Sequence, residues 1–163
     1  MLNIRPATKT DLPAITEIYN EAILNTAATF DTQPKSLQEQ EQWFASHDAR
    51  HPVLVAEQDG TIVGWASLSG WSDRCAYADT AEASLYVRKE YRGEGVGRLL
   101  SVALLEAGEK AGLHTVIARI TEGNEASLRL AQSAGFELVG TMKEVGRKFG
   151  KLHNVHLMQR LYH

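Results

Sequence analysis

The sequence predicts an α/β domain built on one mixed β-sheet with helices on both faces. Three observations lead there. Segments of β-branched, alternating residues occur along the whole chain. Segments of helical periodicity interrupt them irregularly, in the order β-α-α-β-β-β-α-β-α-β-β, so a regular doubly wound βαβ nucleotide fold is disfavoured. The connections are short, and 163 residues suit a single domain spanning residues 1–163.

Each element has a local cause. Residues 2–6 form a short first strand. Thr10 or Asp11 caps a helix over about residues 12–25, whose Leu12, Ile15, Ile18, Tyr19, Ala22 and Ile23 follow helical spacing. Residues 29–34 break it. Ser36-Leu37-Gln38-Glu39 is a capping box opening a second helix that carries Trp43 and Phe44. Residues 53–57 and 61–69 are strands joined across Gln58-Asp59-Gly60, a hairpin signal. A loop over 70–80 leads to a strand over 81–88. After a glycine cluster comes a helix over about 97–111, with Leu99, Leu100, Ala103, Leu104 and Ala107 as its buried stripe and Gly112 as its stop. Residues 114–120 form a strand, 125–134 a short helix ended by a left-handed Gly135, and 136–145 and 153–161 two final strands.

Composition narrows the function. Hydrophobic residues make up 44% of the chain, enough for one full core. Lys and Arg number 17 against 20 Asp and Glu, a net charge of −3, which disfavours a general nucleic-acid binder. The one cysteine, Cys75, permits no intrachain disulfide and is compatible with a reducing compartment. The first residues lack an apolar signal core and no run approaches a membrane span, so a cytoplasmic protein is expected. The six histidines have no metal-ligand spacing; His153 and His156 fall on opposite faces of a strand, and no metal is expected.

The segment Arg92-Gly93-Glu94-Gly95-Val96-Gly97 stands between a strand and a helix. Glycines there let the backbone turn sharply and approach a ligand, and the helix N-terminus offers N–H groups to an anion such as a diphosphate. An ordinary tight turn would use the same residues. The spacing is G-x-G-x-G, neither the dinucleotide G-x-G-x-x-G nor a P-loop.

With Asn124-Glu125-Ala126-Ser127 and Ala134-Gly135-Phe136 further on, this stretch resembles the acetyl-CoA signature of the GNAT N-acetyltransferases. The resemblance covers essentially the whole chain and is nearest to the phosphinothricin and methionine sulfoximine acetyltransferase branch. It is carried by residues 30–34, Arg74-Cys75-Ala76-Tyr77, Thr80-Ala81-Glu82 and Gly150-Lys151-Leu152-His153-Asn154-Val155. It implies a fourth and fifth strand that splay apart and acetyl-CoA as co-substrate. The diphosphate would rest on the amides of Gly93, Glu94, Gly95, Val96, Gly97 and Arg98, and the pantetheine arm would pair with Leu85, Tyr86 and Val87 as an added strand. Asn124 would contact the arm or simply cap its helix, and Ser127 would line the groove.

The same resemblance implies acetyl transfer to the amine of a small amino-acid-like substrate. Glu82 would act as base, since an ammonium must lose a proton before it attacks a thioester. Main-chain N–H groups near residues 85–87 would serve the carbonyl oxygen. Arg74 would grip a substrate carboxylate, with Tyr77 and Phe30 at the pocket. His153 would face the substrate or a partner subunit, or be structural. A homodimer is implied, with neither nucleic acid nor membrane as partner. Many members carry Tyr, and this branch His, at the position matching Ala131, which has no proton for the departing thiolate. Two other readings stay open: a peptide or protein amine as acceptor, and a non-catalytic acyl-CoA-binding module.

Overall fold

The computed structural model describes residues 1–163. Seven strands form one sheet: β1 (Leu2–Pro6), β2 (Val53–Gln58), β3 (Thr61–Gly70), β4 (Thr80–Val87), β5 (Thr115–Thr121), β6 (Glu137–Lys148) and β7 (Lys151–Leu161). Their spatial order is β1-β2-β3-β4-β5-β7-β6, and every pair is antiparallel except β4–β5. Four helices complete the chain: α1 (Leu12–Asn25), α2 (Leu37–Ala45), α3 (Val96–Lys110) and α4 (Glu125–Ser133). The element order is the one the sequence predicts.

Alternation along the strands divides the core. Leu54 and Ala56 of β2, Ala66 and Leu68 of β3 and Ala81 of β4 pack with Leu100, Leu104 and Leu105 of α3. Val53 and Val55, with Ile62 and Trp65, pack against Leu12, Ile15 and Ile18 of α1 on the opposite face. Full burial of each such Leu or Ile is worth roughly 2 kcal/mol. On β4 the same alternation turns Ala83, Leu85 and Val87 toward the α3 core and Tyr86 toward the α1 side. Glu82 and Ser84 share Tyr86's parity and hence its face.

The predicted caps and turns form with differences that have local causes. Ser36 accepts from the Glu39 amide and the Glu39 carboxylate accepts from the Ser36 amide, completing the capping box of α2. Asp59 and Gly60 both take positive φ (51° and 81°), the two-residue turn between β2 and β3. Leu99, expected inside, is 48% exposed, because α3 begins at Val96 and its buried ridge is Val96, Leu100, Leu104, Leu105 and Gly108. The last hairpin is longer than predicted, since charged Arg147, Lys148 and Lys151 mask its alternation; Phe149 and Gly150 close it with φ of 54° and 72°. A 3-10 turn over Cys75–Tyr77 occupies the loop after β3.

Asp11 stands at the N-cap position of α1, but its carboxylate is turned away from the helix. It accepts from the Thr8 amide at 2.7 Å and from both terminal nitrogens of Arg5 at 2.8 and 2.9 Å, while Arg5 Nε donates to Glu57 at 3.0 Å. The Arg5 fork holds the Asp11 carboxyl below the ordinary carboxylate range, against the opposing effect of burial. Asp11→Ala is expected to lower unfolding free energy by about 2–3 kcal/mol at pH 7, read by urea denaturation. Because the folded-state value is depressed, this contribution is fully present above the unfolded carboxyl pKa of about 3.9 and is lost as pH falls through the folded value, so the wild-type advantage should vanish in acid.

Candidate active site

Strands β4 and β5 touch for only three residues, Thr80↔Thr115, Ala81↔Val116 and Glu82↔Ile117. Beyond Glu82 they part, and β4 keeps a partner only in β3. The gap opens into a cleft of about 710 Å³. Ala83 to Tyr86 form one wall and Ala118 to Thr121 the other, with Ser101, Leu104 and Leu105 of α3 and Ser127, Leu130 and Ala131 of α4 along the side. This is the predicted splay, and it leaves main-chain groups of β4 facing an empty strand position.

At the α3 end of the cleft lies the glycine loop. Gly93 and Gly95 have φ of 79° and 87°, a left-handed conformation that residues with a Cβ adopt at a cost. Gly95 is the N-cap of α3, and the first amide to bond back is Leu99, on the Gly95 carbonyl at 3.2 Å. The amides of residues 93–98 have no protein acceptor. Gly97 packs against β4 and α4, where a Cβ would stand 3.4 Å from Leu130 and 3.6 Å from Leu85, ordinary van der Waals contact. Arg92 fastens the loop by donating to the Val87 carbonyl at 3.1 Å and to Glu21 at 3.2 Å. The loop and Val87 stand outside the enclosed lining of the cleft, whereas Leu85 and Tyr86 are part of it.

Glu82 stands where the strands part. Arg119 of β5 grips it with a bidentate fork, Nε to Oε2 at 2.5 Å and Nη2 to Oε1 at 2.8 Å, and stacks over Trp71 at 5.5 Å from the ring centre. The hydrogen bonds that Arg119 donates to Glu82 raise the Arg119 pKa above its ordinary value, against the opposing effect of burial. Sequence reasoning missed Arg119. Its signal was a lone arginine in the middle of an apolar strand, His114-Thr115-Val116-Ile117-Ala118-Arg119-Ile120.

Among the other predicted residues, Phe30 lines the cleft and Asn124 does so while capping α4, its Oδ1 accepting from Ser127 N at 3.3 Å. Phe30 lies over Gly146, where any Cβ would come within 2.2 Å of its ring. His153 sits behind Phe30, with ring centres 6.0 Å apart, and its Nε2 is 3.2 Å from the Lys148 carbonyl; it does not line the cleft. Arg74 and Tyr77 are exposed in the loop before β4 and do not line the cleft either, and the Arg74 guanidinium has no partner within the chain.

The segment carrying Phe30 is fixed by residues that no motif revealed. Thr121 donates to the Ala27 carbonyl at 2.6 Å, and the buried Lys148 ammonium donates to the Thr29 carbonyl at 2.7 Å. Burial pushes the Lys148 pKa down. The Tyr19 hydroxyl meets Thr29 Oγ1 at 2.9 Å and donates to Asp31. Burial raises the phenols of both Tyr19 and Tyr86, the latter to about 12, so both stay protonated. No three His, Cys, Asp or Glu side chains converge as a metal site, and no helix is long and apolar enough to cross a membrane.

Residues 1–137 match the family described as acetyltransferase (GNAT) domain. The chain belongs to the GNAT acetyltransferase family. Across 159 residues this acetyltransferase is 39% identical to an L-amino acid N-acyltransferase of Escherichia coli K12, covering 97% of this chain and 92% of the relative. It is 41% identical over 162 residues to an L-methionine sulfoximine/L-methionine sulfone acetyltransferase of Pseudomonas paraeruginosa, covering 96% and 92%. Its fold superposes with a TM-score of 0.95 on a GNAT phosphinothricin acetyltransferase of Sinorhizobium meliloti solved with acetyl-CoA, at 35% identity and with 98% and 88% of the two chains covered. The acetyltransferase thus has the splayed pair and glycine loop in the setting that its sequence resemblance implied.

Proposed function

We propose that this acetyltransferase moves acetyl from acetyl-CoA to the amine of a small amino-acid-like substrate of the methionine sulfoximine, methionine sulfone or phosphinothricin type. The observation that carries the reading is Glu82 at the apex of a cleft whose wall is the bare edge of β4. The residues fit the coenzyme. Free amides over residues 93–98 suit a diphosphate, and the β4 edge at Leu85, Tyr86 and Val87 suits an amide-bearing arm. Asn124 and Ser127 line the opposite side.

Acetyl-CoA supplies an activated acyl group, so no enzyme nucleophile is required. Glu82, held by Arg119, takes the proton of the incoming ammonium directly or through water, and substrate docking there competes with part of the Arg119 fork. Main-chain N–H groups of β4 donate to the carbonyl oxygen. Ala131 lines the cleft without a proton to give, so the thiolate departs unprotonated or takes its proton from water, tolerable for a thiol pKa of about 8.5. Phe30 forms the pocket wall with His153 behind it. Arg74 and Tyr77, in the exposed loop before β4, meet the substrate's far end, Arg74 with its guanidinium free for a carboxylate.

We also assign a cytoplasmic, homodimeric, single-domain enzyme. Support for the dimer is the exposed apolar surface of the β6–β7 hairpin, including Leu138, Val139, Val145, Phe149 and Leu152.

The test offers acetyl-CoA with a panel of amines and follows free thiol. Turnover of methionine sulfoximine is expected. Tight acetyl-CoA binding with no turnover of any amine would instead identify a binding module, and a preference for peptide amines a protein acetyltransferase. Arg74→Ala is expected to raise KM roughly tenfold for substrates with a free carboxylate, the worth of a lost charge-assisted contact. An equal loss with carboxylate-free amines removes Arg74 from that role.

A further inference from the structure

Arg119 is the only cation among the residues that line the cleft, where Asp31 and Glu82 are the acidic ones. It is also only partly engaged. A guanidinium is planar, with five N–H donors, and can present paired donors along more than one edge. Arg119 gives Nε and one Nη2 hydrogen to Glu82. The edge formed by Nη1 and the second Nη2 hydrogen has no acceptor within the protein. The Arg119 side chain is 52% exposed and that of Glu82 21%, so the pair is open on the arginine's side. Trp71 lies against a face of the guanidinium, 5.5 Å from carbon to ring centre, and leaves that edge clear.

An ion pair with one open edge is the complement of a zwitterion. The reading above brings a substrate ammonium to Glu82. In an α-amino acid the carboxylate hangs from the same carbon as that nitrogen, so it enters the cleft beside the same pair. The cation it meets there is Arg119. The Nη1–Nη2 edge can grip it while Nε stays on Glu82, because each edge of the fork serves its own carboxylate. A point charge in this place could not hold two carboxylates in fixed order. Without Arg119 the incoming carboxylate would face only the acidic Asp31 and Glu82. A carboxylate accepts at both oxygens, so this contact adds to the one assigned to Arg74.

We propose that Arg119 determines specificity by bridging Glu82 and the α-carboxylate of the substrate, so that the cleft selects amino acids whose amine and carboxylate are both free. This rests on the amino-acid acetyltransferase reading above. It disfavours simple amines and peptide N-termini, which bring an ammonium to Glu82 but no carboxylate to the second edge.

The experiment compares kcat/KM for methionine sulfone and its primary carboxamide in the wild type, Arg119→Met and Arg119→Lys. The carboxamide keeps the amine and the side chain and removes the negative charge. Its ammonium is more acidic, but that difference is common to all three proteins and cancels between them. Arg119→Met should lower kcat/KM for the acid about tenfold more than for the carboxamide, the worth of a charge-assisted contact. Arg119→Lys keeps a cation without the two-edged fork and should fall between wild type and Arg119→Met. It also covers the case in which the methionine variant does not fold. A residue that merely holds Glu82 in place would cost both substrates alike, since both need the base. Equal losses for acid and carboxamide in both variants would therefore overturn the bridge. So would wild-type turnover of the carboxamide but not of the acid. Turnover of neither by the wild type, with acetyl-CoA bound, defeats the broader reading, and the bridge with it.

Discussion

Glu82→Gln is expected to lower kcat about a hundredfold or more while leaving acetyl-CoA affinity unchanged. General bases contribute roughly 10²–10⁴ in rate, and glutamine keeps the shape of the side chain without the basic oxygen. The geometry makes the comparison clean. Glu82 lies at the last β4–β5 pair, away from the glycine loop, so its loss does not touch the free amides of residues 93–98. The glutamine can still accept one bond from Arg119, so the strand apex should hold. Thiol release at saturating substrate, with calorimetry for acetyl-CoA, separates the two effects. A variant with wild-type kcat would remove Glu82 from proton transfer.

Gly95→Val is expected to weaken acetyl-CoA binding by about tenfold or more, with little change in thermal stability. Gly95 has φ of 87° at the N-cap of α3, and a Cβ there meets nothing within 4 Å. The penalty is therefore conformational. An ordinary residue in this region costs about 1–2 kcal/mol and a β-branched one more, and each 1.4 kcal/mol is tenfold in affinity. Relief comes by moving the loop, which scatters the convergent amides. Calorimetry with acetyl-CoA and with CoA reads the effect directly. Unchanged affinity for both would mean that the loop is a turn and nothing more.

The fold was legible where local chemistry is strong. The Ser36 capping box, the Asp59-Gly60 turn and the apolar stripe of α1 all formed as read, because each is decided by residues within a few positions. Leu99 was misjudged because two leucines in a row satisfy the helical period equally well, and only the sheet beneath α3 selects Leu100. The site was legible in its motifs but not in its partners. Arg119 is 37 residues from Glu82, and Lys148 is 119 residues from Thr29; such pairings come from topology and leave no periodic trace. Gly146 is similar: its lack of a side chain makes room for Phe30, a fact visible only once the last hairpin folds over the segment after α1. Gln40 and Ser67 are buried although their polar side chains carry no sequence signal of it.

The three-residue seam between β4 and β5 also bears on how the chain is made. All pairings of β1 to β4 lie within residues 2–87, so a four-stranded antiparallel half can assemble before β5 is synthesised. Translation from the N-terminus favours that sequence of events. Until Thr115 emerges, the outer side of β4 is an unprotected strand edge, the kind that recruits foreign chains. The mature protein covers only its first three residues. The feature that admits a ligand in the finished molecule is thus also its exposure to misassembly during birth.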